Sequence, residues 1–221
     1  MATDTPFRRA RTPEARSRRK SDLLAAAYGL AAQGTVQSVT LPDIAEAAGV
    51  HRSAVQRYFD SRDDVLLHLA GQGWNQWSEA AAEALDGQGE MAGEEVARLL
   101  AASLAERPVF CDLLGHVAST FERSVPLGSV LEYKHAAARA LASLTASLQG
   151  ALPALSNADC RDVVAALTAL AANFWSTANP APALAALYDQ DPELAHARVE
   201  FEPRLARVLG RLLAGILASG A

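Results

Sequence analysis

"GVHRSAVQRYFDSRDDV", residues 49–65, gathers His51, Arg52 and Arg57 among the apolar residues Val50, Val55, Tyr58 and Phe59. The chain around it has 221 residues and a formal charge of −5. Its charges are sorted. Through Arg62 there are ten basic and six acidic residues, a surplus of four, so the remainder carries −9. A basic head on an acidic body predicts that the head meets a polyanion while the body does something else. A solvated basic tail accounts for residues 1–20 but not for the cations after Gly49.

Working outward, Thr40 can cap a helix, with Asp43 in capping-box position and Pro42 tolerated in the first turn. That helix, Leu41 to Ala48, stops at Gly49, a residue tolerant of positive φ. The next runs from about His51 to Phe59. Two short helices crossing steeply need a small contact residue, and Ala45 is one. Ile44, Ala48, Val50, Val55 and Tyr58 form the inward face. All these positions fit a helix-turn-helix at once. The outward set is then His51, Arg52, Ser53, Gln56 and Arg57. In such a unit the second helix lies in the major groove of DNA, where an arginine can hold guanine O6 and N7 together. The cations are local because only this face touches DNA. Upstream, Leu23, Ala26, Ala27, Leu30 and Ala31 recur at helical spacing from about Arg19 to Gln33. Downstream, Ser61 can cap a helix to about Leu85, with Asp63 and Asp64 favouring its N-terminus.

The stretch "SVTLPDIAEAAGVHRSAVQRYFDSRDDVL", with the helix before it, resembles the DNA-binding region of the tetracycline-repressor (TetR) family of bacterial regulators. Ile44-Ala45, Ala48-Gly49-Val50, Tyr58-Phe59 and Ser61-Arg62-Asp63 carry the resemblance, which covers about residues 19–68. It implies a homodimer whose C-terminal domain binds a small molecule that lowers DNA affinity. Arg52, Ser53, Gln56 and Arg57 fall on recognition-helix sites. Thr40 falls at a helix N-terminus that meets a phosphate, and Arg62 on the basic residue opening the fourth helix. Gln56 departs from the family, which commonly has an aromatic there, so the operator sequence does not follow by analogy. Two protomers each placing one such helix imply a near-palindromic double-stranded operator.

The rest reads as all-α: Glu94 to Arg107, Val109 to about Phe121, Leu127 to about Leu152, Asn157 to Ala178 and Phe201 to Ser219. An irregular segment with one or two helical turns precedes the last of these. The expected organisation is a flexible basic arm (1–18), a three-helix helix-turn-helix DNA-binding domain (19–62) and a helical ligand-binding and dimerisation domain (63–221). The arm could follow phosphates or enter a minor groove. Leu167, Leu170, Ala171 and Trp175, with Leu205, Leu209, Leu212, Leu213 and Ile216, are suited to a four-helix dimer interface. Ala206, Gly210, Ala214 and Ala218 form a small-residue row permitting close helix approach. Trp74, Trp77, Phe110, Phe121, Tyr133 and Phe174 are candidates to line an apolar effector cavity, with Cys111, His116 and Asn173 as polar contacts. As single residues, the aromatics read more often as plain core.

Cys111 and Cys160 have no C-x-x-C neighbour, which fits a reducing compartment. Val163 to Ala178 is uncharged but short for a membrane span, and the chain reads as soluble and cytoplasmic, with no membrane partner. The sequence contains no H-E-x-x-H, G-x-S-x-G, Walker loop or G-x-G-x-x-G, and the histidines (His51, His68, His116, His135, His196) are scattered, so neither an enzyme nor a metal or other cofactor is expected. The rival readings are an activator of the same fold, a helical enzyme, and a protein-interaction module. The last leaves the basic face unexplained.

Overall fold

The computed structural model describes residues 12–191, 193–194 and 199–219, and among these every regular element is helical. The head contains α1 (Pro13–Gln33), a 3-10 turn (Val36–Ser38), α2 (Leu41–Ala47) and α3 (Arg52–Val55). Helix α1 starts six residues before the expected Arg19. Thr12 caps it by accepting a hydrogen bond from Ala15 N, and Pro13 supplies a preset φ at its first position. These first turns are exposed, so they carry no apolar period to read. Residues 13–18 are therefore helix, not arm. The arm's Arg8, Arg9 and Arg11 lie outside the described residues.

Helix α3 is shorter than the expected His51–Phe59. His51 is its N-cap, and after Val55 the chain tightens into i→i+3 bonds, with Arg57 N donating to Ala54 O and Tyr58 N to Val55 O. The tightening brings Phe59 into the head core, where it is 1% exposed. Tyr58, expected there, is only half-buried.

The body begins with α4 (Arg62–Leu85), about 36 Å long at 1.5 Å per residue. It is followed by α5 (Gly93–Ala105), α6 (Pro108–His116), α7 (Glu122–Ser124), α8 (Leu127–Ala151), α9 (Asn157–Ala178), α10 (Pro182–Gln190) and α11 (Phe201–Ser219). The expected single helix from Val109 to Phe121 is divided. A π turn occupies Val117–Phe121, and apolar spacing cannot tell that wider turn from an α turn. Packing pairs α4 with α8 and α5 with α11, while α9 touches α6, α8 and α11. Small residues set the approach: a Cβ on Gly71 would meet Ala136 at 3.6 Å, and one on Gly210 would meet Ala97 at 3.8 Å. Gly210 thus serves packing within the chain. No helix among the described residues is long and apolar enough to cross a membrane.

Candidate nucleic-acid interface

The turn between α2 and α3 is built from backbone bonds. Val50 N donates to Ala45 O at 2.9 Å and Gly49 N to Glu46 O at 3.0 Å, with Gly49 at φ +63°. This is a Schellman stop, which closes α2 and redirects the chain within two residues. The apolar side of the unit is then fixed. Ile44, Ala45, Ala54, Val55 and Phe59 are buried, and Val50 and Tyr58 pack against them.

Burying that side leaves the other in solvent. His51, Arg52, Ser53, Gln56 and Arg57 are all exposed, on one helical turn and the tight turn that follows it. Among the described residues no carboxylate lies within ion-pair distance of Arg52 or Arg57, so their charge is not neutralised by the head. His51 and Ser53 are linked, Nδ1 lying 3.0 Å from Oγ, which orders the first turn of α3. Such a face, exposed and cationic with mixed donors and acceptors, can lie along a groove of duplex DNA.

Thr40, expected at a phosphate, and Arg62, the basic residue opening the fourth helix, both make bonds within the chain. The Thr40 hydroxyl donates to the Asp43 carboxylate at 2.6 Å and its oxygen accepts from Asp43 N. The carboxylate takes the hydroxyl, and so the reciprocal bond of a full capping box is not made. Arg62 donates from Nη2 to Val36 O at 3.0 Å and pairs with Asp63 at 3.7 Å. It ties the start of α4 to the 3-10 turn and so positions the head.

Residue spacing carries no sign of two further ties between head and body. Val36 N donates to Asp112 Oδ2 of α6 at 2.9 Å, so both backbone polar groups of that buried residue are held, one by α6 and one by α4. At the second tie, Lys20 of α1 pairs with Glu132 of α8 at 3.6 Å, and Glu132 also meets His68 Nε2 of α4 at 3.1 Å. Both join residues far apart in the chain, which no local pattern can signal.

The expected cavity aromatics pack into the core of the single chain. Trp74, Trp77 and Phe110 stack with centroids 5.6–6.0 Å apart. Trp74 Nε1 donates to Tyr133 OH and Trp77 Nε1 to Ser103 Oγ, each at 3.0 Å. Cys111 donates to Leu104 O, and burial raises its thiol pKa to about 12, leaving a structural thiol. Phe121 and Phe174 are buried as well. His116 stands beside Gln37 of the head, and Asn173 is exposed on α9. Open volume amounts to about 630 Å³ among the ends of α9, α10 and α11 and about 300 Å³ in a groove between α4 and α8, the latter lined in part by Tyr133.

The residues expected at a dimer surface divide. Leu167, Ala171, Leu205, Leu209 and Leu213 are buried within the single chain. The broad apolar stripe of α11 is used to dock on α5 and α9. Leu170, Trp175, Leu212 and Ile216 keep part of their surface exposed, next to the exposed Ala165, Ala169 and Ala214.

Comparison with known proteins agrees with this architecture. Residues 23–69 match the family model described as bacterial regulatory proteins, tetR family, and residues 72–220 the one described as tetracyclin repressor-like, C-terminal domain. No curated protein matches the sequence. Among solved structures, the chain is similar to a TetR transcriptional regulator from Rhodococcus sp. RHA1, with 17% identity, a TM-score of 0.58, and 93% of this chain and 98% of that one covered. A possible TetR family transcriptional regulator from Streptomyces coelicolor A3(2) gives 21%, 0.57, 92% and 99%. The fatty acid degradation regulator FadR from Bacillus halodurans gives 16%, 0.56, 89% and 95%. At these identities the likeness is one of fold.

Proposed function

The chain belongs to the tetR family of bacterial regulatory proteins, and from that premise we propose that it is a homodimeric transcriptional repressor released from DNA by a small molecule. Each copy sets Arg52, Ser53, Gln56 and Arg57 against base edges and phosphates of one half of a near-palindromic operator, with His51 ordering the turn. Thr40 and Arg62 act at one remove, by holding the ends of α2 and α4. Two copies pair through the outer faces of α9 and α11, where Leu170, Trp175, Leu212 and Ile216 border exposed alanines. Effector binding favours a spacing of the two heads that no longer matches successive major grooves, since equal affinity for both spacings would shift nothing.

The observation that carries this reading is the sorting of α3 and its turn, with Ala54, Val55 and Phe59 buried and the hydrogen-bonding set exposed. The test is a gel shift with DNA upstream of the chain's own gene, stepped through rising salt. Specific retention that weakens log-linearly with salt is expected. Absence of retention on every genomic fragment, after any bound metabolite has been stripped, would defeat the proposal.

A further inference from the structure

A cavity of about 630 Å³ opens where the end of α9, α10 and the first turns of α11 meet, a volume within the range of small-molecule sites. It is separate from the bundle interior, which Trp74, Trp77, Phe110 and Tyr133 fill. Its wall has two kinds of surface. Ala178, Ala185, Val199 and Pro203 are apolar, whereas Arg204 and Arg207 of α11 are cationic. Three positions apart on a helix, the arginines are neighbours on its surface.

Arg204 is held in place. Its guanidinium lies over the Phe174 ring, 4.9 Å from the centroid, and that ring is buried. The ring contact is made without a hydrogen bond, and a guanidinium carries N–H donors that suit a two-oxygen acceptor. Among the described residues no carboxylate comes within ion-pair distance of Arg204 or Arg207. Glu200 is the only acid among the described lining residues, so among them guanidinium charge is in excess. Arg204 is half-buried and Arg207 exposed, so an occupant that brings a counter-charge to them is favoured over a neutral or cationic one, while its remainder meets methyl and ring carbons.

The geometry points to an amphipathic organic carboxylate as the occupant, with its headgroup on Arg204 and Arg207 and its apolar body on the wall of α9 and α10. The inference rests on the proposed effector-released regulator and names the effector's chemical class. Because the occupant touches both α9 and α11, its affinity can differ between arrangements of the pair built on those helices.

The test is calorimetric titration of the full chain with octanoate, octan-1-ol and octylamine. Octanoate should bind at least tenfold tighter than either control. Arg204→Gln combined with Arg207→Gln should abolish that preference. Ala185→Trp, which fills the cavity and leaves the charges alone, should weaken octanoate at least tenfold. Octanoate binding no tighter than octan-1-ol, or undiminished in either folded variant, overturns the inference. Operator binding by the unliganded chain is scored separately, so failure of the DNA reading shows as lost retention with the titration unaffected.

Discussion

At Gly49 the backbone sits at φ +63°, and a Cβ built there would meet nothing within 4 Å. Space is therefore not what demands glycine; the left-handed conformation is. Gly49→Ala is expected to lower stability by about 1–2 kcal/mol, read from the denaturant midpoint. Gly49→Asn should recover part of the loss, because a short amide tolerates that region. An unchanged midpoint for the alanine would show that the strain is relieved elsewhere. Arg57 poses the opposite case, an exposed side chain whose removal should leave the fold alone. Arg57→Ala is expected to weaken specific DNA binding by about 1–3 kcal/mol in fluorescence anisotropy, with an unaltered melting curve. Undiminished affinity for the best operator would remove Arg57 from the contact set. Both positions are legible in the sequence, since glycine at a helix stop and cations opposite an apolar row are local patterns.

Between helices, the contact of α4 with α6 depends on the missing side chain of Gly73. A Cβ there would stand against the Phe110 ring, 2.8 Å from its Cγ, and both residues are buried. Gly73→Ala is expected to cost about 1–3 kcal/mol as an overpacking change. Phe110→Leu should recover part of it in the same background, a coupling that a double-mutant cycle measures. Additive losses would mean that α4 and α6 do not meet through this pair. The helical period predicts that both helices exist but not that one must lack a Cβ where the other carries a ring. Helix ends show the same limit. The early start of α1 and the π turn after α6 are set by caps and neighbours, not by apolar spacing.

Across the whole molecule, His68 joins α4 to α8. Its Nδ1 faces the Asp64 backbone oxygen at 2.8 Å and its Nε2 the Glu132 carboxylate at 3.1 Å. Both partners accept, so only the protonated ring donates to both. Burial and the nearby Lys20 oppose that charge, but the hydrogen bonds and attraction to Asp64 outweigh them and raise the pKa above 6.5. The stabilisation is complete below pH 6.5 and lost as pH rises through the folded value. The melting temperature should therefore fall as pH rises above 6.5, and His68→Gln should flatten this dependence. A profile unchanged by the substitution would exclude His68 as its source. The proposed pairing is tested on the outer face of α9, where Ala169 is exposed. In sedimentation the native chain should run as two copies and Ala169→Glu as one, with helicity retained. What the sequence determined alone was the helix-turn-helix, the identity of its exposed face and the all-helical body, because each follows from residue spacing within a turn or two of chain. Tertiary structure decided which apolar stripes are used up inside one chain, which aromatics pack against one another, and which charges bridge head and body. Those outcomes depend on contacts between residues tens of positions apart, whose partners are chosen only when the helices pack.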